Sequence, residues 1–282
     1  MICLSQNTIY LYNHPNNGFS SQGGSDKNQE KSPIKDALLH TPGESLNAQI
    51  QQILESALTY IAIMAVLIYV TFYTWWIWLT RRPTNPISLT VITVLVVGFL
   101  SLRLVQFRKN MVRLRMARDG EIAVGQFLER LYNLGAHVFH DIPGDKFNID
   151  HLVVSPRGIY LIETKTYSKP ERGKAEITSD GENLLANGML IERNPFVQAR
   201  ALSKWAHDLI EESTGRSFTV RPVVLFPGWY VKSSNMPKDI WVLNPKAFPR
   251  FLENERAQIS MEDVYLISYH LKRYVRTTST RL

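Results

Sequence analysis

The chemistry-bearing residues crowd into one short stretch. Phe147-Asn148-Ile149-Asp150-His151-Leu152-Val153-Val154 is followed by Ser155-Pro156-Arg157-Gly158 and then by Ile159-Tyr160-Leu161-Ile162-Glu163-Thr164-Lys165-Thr166. Two runs rich in β-branched and aromatic residues flank a Pro/Gly turn, which is the pattern of a β-hairpin. If Val154 faces Ile159, or Ser155 faces Gly158, paired positions sum to 313 and Asp150 lies opposite Glu163. Directly opposed residues share a face, with Cβ atoms about 4.5–5.5 Å apart. Lys165 is on the face of Glu163 because side chains alternate along a strand. Two opposed carboxylates repel and call for a cation between them. Lys165 can be that cation, in a sheet-surface salt-bridge cluster. A divalent ion does it better, since Mg²⁺ takes one or two carboxylates plus waters and phosphate oxygens. The spacing leaves both readings open.

Several elements must position this hairpin. Val124, Phe127, Leu128 and Leu131 form a helical stripe over Gly120–Leu131, with Asp119 as its expected cap and Gly135 as its C-terminal glycine. Glu121 falls in its first turn. Ala136 to Ile142 reads as a strand and Pro143-Gly144-Asp145-Lys146 as a turn. Asn187-Gly188 marks a second hairpin. A helix is expected from Pro195, capped by Asn194, to about Ser213. Its inner stripe is Ala199, Leu202, Ala206, Leu209 and Ser213, with Gln198 one residue off. Thr219–Phe226 and Ile240–Leu243 read as strands, and Ser260 opens a last helix to about Val275. Alternating strands and helices imply an α/β domain over residues 120–282. Trp205, Trp229 and Trp241 read as core, although Trp229 after Pro227-Gly228 could be exposed. His140, His151 and Asp141 read as structural, because their spacing fits no zinc pattern.

Upstream, the composition changes twice. Residues 1–55 are rich in Asn, Ser, Gln and Gly and are read as a disordered tail. Ala57–Leu79 then runs 23 residues without a charge, about 34 Å of helix and enough for a hydrocarbon core of about 30 Å. Ile87 to about Phe107 forms a second span, with Arg103 able to snorkel. Residues 56–107 are thus read as a transmembrane hairpin, broken at Arg81-Arg82-Pro83-Thr84-Asn85-Pro86. A basic juxtamembrane linker, 108–119, follows. Arg103, Arg108, Lys109, Arg113, Arg115 and Arg118 outnumber Arg81 and Arg82 of the loop. That imbalance predicts a C-terminal domain in the cytoplasm; the location expected for the protein is a bacterial inner membrane. The basic run from Arg103 to Arg118 is expected to meet anionic lipid.

The string Ile149–Tyr167 resembles the core motif of the nuclease-related domain, NERD, within the PD-(D/E)xK or restriction-endonuclease-like superfamily. The resemblance is best over about 120–213. Glu121 corresponds to the family's first acidic motif, Asp150 to its aspartate, Glu163-Thr164-Lys165 to its ExK, and Gln198 to the glutamine of its later helix. Ile149 stands where the superfamily's proline would be. The resemblance implies a restriction-endonuclease-like core, a mixed central sheet flanked by helices. It further implies a phosphodiesterase using Mg²⁺, or Mn²⁺, on nucleic acid, with DNA ahead of RNA. Asp150, Glu163 and the Thr164 backbone carbonyl would hold the ion, and Glu121 a second ion or a water. Lys165 and Gln198 would position the nucleophile.

Composition narrows the alternatives. One cysteine, Cys3, excludes an internal disulfide or a cysteine zinc cluster. The net charge of +7 shrinks to +4 over residues 111–282, with 24 basic and 20 acidic residues, so the soluble part is not a strongly basic binder. A catalytically inactive, membrane-tethered nucleic-acid-binding or scaffolding module is the competing expectation.

Overall fold

A computed structural model describes residues 39–81, 85–170, 173–232 and 234–279. Most of the expected tail, Cys3 and Arg82-Pro83-Thr84 of the breaker lie outside the described residues. Helix α1 spans Glu44–Arg81, so residues 44–55, read as tail, are helical. The reason is local. Thr41-Pro42-Gly43-Glu44 is a capping box, and the Thr41 amide donates to Glu44 Oε2 at 2.8 Å.

Helix α2 runs without interruption over Ile87–Leu128. The separate linker 108–119 and the Asp119 cap are therefore both corrected. Residues 103–119 contain neither proline nor glycine and are mostly Arg, Leu, Met and Ala, good helix formers with nothing to stop them. Asp119 pairs with Arg118 at 2.8 Å instead. Both α1 and α2 are long and apolar enough to cross a membrane, and only 0% and 11% of their apolar windows are buried, so they are not core helices. They lie antiparallel: Thr71 and Thr93 hydroxyls meet at 2.7 Å, Trp75 Nε1 donates to Thr90 at 2.9 Å, and Tyr60 stacks on Phe107.

The C-terminal part is α/β. A five-stranded mixed sheet has the order β1-β2-β3-β7-β9, built from His137–Pro143, Asn148–Ser155, Gly158–Thr164, Val220–Leu225 and Trp241–Leu243. The first three strands are antiparallel; β3, β7 and β9 are parallel. The β2–β3 register is the expected one, with Val154 opposite Ile159 and Ser155 opposite Gly158. Helices α3 (Pro195–Thr214) and α5 (Met261–Ser279) cover one face, around Leu161, Leu202, Ala206 and Val264. The other face meets α2 and α4 (Phe248–Asn254) around Val124, Leu128, Ile162 and Phe248. The stripe of α3 centres on buried Ile210 rather than on Leu209 and Ser213. A small second sheet, ordered β6-β5-β4-β8, comprises Met189–Leu190, Leu184–Ala186, Glu176–Ser179 and Tyr230–Val231. It adjoins the start of α3, and Trp229 is buried there with its Nε1 donating to Tyr167 O at 3.2 Å.

Candidate active site

Strand β3 is buried along its whole length, so any charge on it needs a reason. The antiparallel ladder ends at His151 opposite Ile162. Asp150 and Glu163 sit one step beyond, and there the carboxylate of Asp150 replaces the next ladder bond by accepting from the Thr164 amide at 2.7 Å. On the other edge of β3 the Lys165 amide donates to Leu225 O at 2.9 Å. The backbone of Glu163-Thr164-Lys165 is thus pinned from both sides.

Three side chains close a triangle above it. Lys165 Nζ donates to Glu163 Oε1 at 2.7 Å and to Gln198 Oε1 at 2.9 Å, and Gln198 Nε2 donates to the same Glu163 oxygen at 2.7 Å. Gln198 arrives there because Asn194 caps α3, its side chain accepting from the Phe196 amide, with Pro195 in the first turn. The second oxygen, Glu163 Oε2, is buried without a partner, as is the Thr164 hydroxyl. An uncompensated buried carboxylate oxygen is costly.

Glu121 reaches the site from α2, and Gly120 allows the approach. A Cβ on Gly120 would stand 1.8 Å from Thr166 Oγ1, so only glycine lets the helix lie this close to the extension of β3. Glu121 is buried, and burial, reinforced by the charges of Asp141 and Glu163, pushes its carboxyl up to about 8. Burial, with Glu163 and Glu121 nearby, also raises Asp150 well above the usual carboxylate range, against the opposing pull of the Thr164 amide and Lys165. All five expected side chains, Glu121, Asp150, Glu163, Lys165 and Gln198, therefore converge, and Thr164 sits among them with its amide committed to Asp150.

Among the described residues no three His, Cys, Asp or Glu side chains form a ready-made ion cage. Mg²⁺ does not require one, since it keeps several waters and takes one or two carboxylates. The donor set fits such an ion: hard oxygens, an orphaned Glu163 Oε2, and neighbouring carboxylates that raise one another's proton affinity.

Two contributors are not visible in the hairpin motif. Asp141, buried and with φ 49°, accepts from Asn148 Nδ2 at 2.8 Å and from the Ser45 amide. The start of α1 thereby docks on the carboxylate corner. His40 binds Asp141 O at 2.7 Å, and Pro42 fills the space a Cβ on Gly125 would need. As a result Ser45, Leu46 and Gln49 wall a cavity of about 470 Å³ whose other walls include Glu121, Lys146 and Asp150. The Thr41–Glu44 capping box is the sequence signal that announces this helix start.

Residues 117–227 match the family model of the nuclease-related domain, NERD. The NERD match contains every converging residue, from Glu121 to Gln198, and stops short of α4 and α5. Neither the curated proteins nor the solved structures yield a match.

Proposed function

We propose that the chain is a membrane-anchored nuclease that hydrolyses phosphodiester bonds with a divalent ion, Mg²⁺ or Mn²⁺. One observation carries the reading: the buried, partnerless Glu163 Oε2 stands beside two further carboxyl groups, three acids that Lys165 alone does not keep ionised together. Asp150, Glu163 and the Thr164 carbonyl would hold the ion, and Glu121 a second ion or a water. When bound, such an ion polarises a phosphate and lowers the pKa of a water. Lys165 Nζ is fixed by Glu163 and Gln198, so its remaining donor capacity is available to orient the attacking water and to offset charge gathering on the phosphate oxygens. Gln198 holds the lysine and Glu163 at one distance from each other. Glu121, protonated up to about pH 8 in the ion-free protein, is a reservoir for one proton at the cleft.

The exposed apolar windows of α1 and α2 support a bilayer anchor. The basic run Arg103–Arg118 supports contact with anionic lipid and a cytoplasmic C-terminal domain in a bacterial inner membrane.

Because α1 walls the cavity, the test uses the full chain in lipid nanodiscs, with DNA first and RNA second. Ion-dependent cleavage that disappears in Glu163→Gln and Lys165→Ala is expected. Binding without cleavage in either ion, unchanged by those substitutions, would overturn the enzyme in favour of a binding module. A topology reporter fused after Leu282 should signal from the cytoplasm; a signal from the opposite side removes that orientation.

A further inference from the structure

Three acids offset by one lysine give a polyanion no net attraction at the corner, so cations elsewhere must supply affinity. Helix α3 leads to where they are. At 100° per residue its buried face, Ala199, Leu202, Ala206 and Ile210, separates two flanks. Gln198 is on one flank, at the catalytic triangle. Arg200, Lys204 and His207 are on the other. That second flank, with Thr219–Pro222 and Lys238-Asp239, encloses a cavity of about 520 Å³.

Three cations, Arg200, Lys204 and Lys238, line it beside a single carboxylate, Asp239. The domain as a whole has almost no positive excess, so this is a concentration of charge and not an average. The Arg200 guanidinium is held through two nitrogens by Asp239, at 2.6 and 3.0 Å. Arg221 also borders the cleft, but its guanidinium lies over the Trp241 ring at 4.9 Å, on the sheet face away from α3. Lys204 and Lys238 are exposed and, among the described residues, make no ion pair. Two unpaired ammonium groups beside a guanidinium held in place suit a phosphate group.

Distance ties this cavity to the catalytic corner. Arg221 is level with Tyr160 in the β3–β7 register, and Glu163 is level with Val224. Three residues at about 3.3 Å each give about 10 Å along the sheet. A helix such as α3 is about 10 Å across. The two places are thus about 14 Å apart, a few nucleotides along one strand.

We propose that this cleft is a second phosphate site, binding a phosphodiester of the nucleic-acid substrate a few nucleotides from the bond to be cut. The proposal rests on the nuclease reading for the identity of its partner. The test uses the full chain in phosphatidylcholine nanodiscs, with chelator present so that binding is read without cleavage. Anisotropy of a labelled 20-mer, about 20 nucleotides being ample to span both places, is measured across a salt series. In Lys204→Glu/Lys238→Glu the dissociation constant should rise about tenfold or more, and the slope of log affinity on log salt should fall by about 1.4–1.8, two phosphate contacts' worth. Both substituted positions are exposed, and an unchanged melting temperature confirms the fold. Unchanged affinity and slope would overturn the second site while leaving the nuclease reading intact. The second site is equally overturned if the variant loses only binding to anionic vesicles, since the cleft would then be a lipid headgroup site. Cleft-dependent binding in a wild type that cleaves nothing would leave the site standing and remove the nuclease. No binding by the wild type removes both.

Discussion

Two neighbouring groups of buried titratable residues behave in opposite ways. Asp150 belongs to the carboxylate corner with Glu121 and Glu163. The next residue, His151, belongs to a pair with His140 across the β1–β2 ladder, in which the two Nδ1 atoms meet at 2.8 Å. In the histidine pair, one ring donates and the other accepts. Burial holds both rings neutral, His140 lowered to about 4 and His151 lowered well below its ordinary value. In the carboxylate corner, burial leaves mutual repulsion and a carboxylate oxygen without a partner. The histidine pair also leaves one atom without a partner, His151 Nε2, but on a neutral ring. Burial of a titratable group is therefore not what marks a site. Acids that do not ionise together without a cation are, and of these two groups only the one on the Asp150 side has them.

The largest test of this contrast removes the corner's cation. Lys165→Ala should lower the cleavage rate by about 10²–10³-fold, read in single-turnover assays on oligonucleotides. His151→Asn, in the other group, should leave cleavage per folded molecule near wild type. Glu121→Gln should come next, raising the Mg²⁺ concentration for half-maximal activity by about 10–100-fold.

The two groups also pull stability in opposite directions with pH. Glu121 has its carboxyl raised from 4.5 to about 8, so the folded state holds that proton more tightly. Its contribution is complete below the unfolded value and is lost as pH climbs through about 8. His140 is lowered from 6.5 to about 4. Its contribution is present above the unfolded value and is lost as pH falls towards about 4. Melting temperatures in chelator should therefore decline at both ends. Glu121→Gln should reduce the alkaline decline, leaving the part due to Asp150, and Mg²⁺ should reduce it further in wild type. A decline that persists undiminished in both would break the comparison.

Smaller effects concern geometry. Gly120→Ala places a methyl 1.8 Å from Thr166 Oγ1 and should cost about 1–3 kcal/mol, with cleavage falling as Glu121 is pushed away. Thr166→Ala should restore part of both losses by removing the nearest atom. Breaking the histidine pair with His151→Leu should cost about 1–3 kcal/mol in denaturant titrations, because the partly buried His140 ring loses its partner.

The hairpin register and the meeting of Asp150 with Glu163 were legible in the sequence because a four-residue turn fixes them locally. Gln198 was reachable through the resemblance and through the Asn194-Pro195 helix start, although nothing local says that its amide reaches Lys165. Asp141 was not legible as part of the corner: its role depends on Ser45, 96 residues away. The start of α1 carried a readable capping box that the polar composition around it obscured. The helical continuity of 103–119 was present in the residue types, but the expectation of a cap at Asp119 treated span and domain as separate objects. Strands β4 and β8, four and two residues long, exist only through pairing with each other and with β5.

That continuity has a consequence for how the molecule meets its targets. From Phe107 to Glu121 there are fourteen residues of unbroken α2, about 21 Å of rod at 1.5 Å per residue. On the proposed reading, with the apolar part of α2 in a bilayer, the helix would be a mast of set length carrying the carboxylate corner at its top. Tilt aside, a nuclease held so would sweep a thin layer parallel to the membrane and would meet only strands that enter that layer.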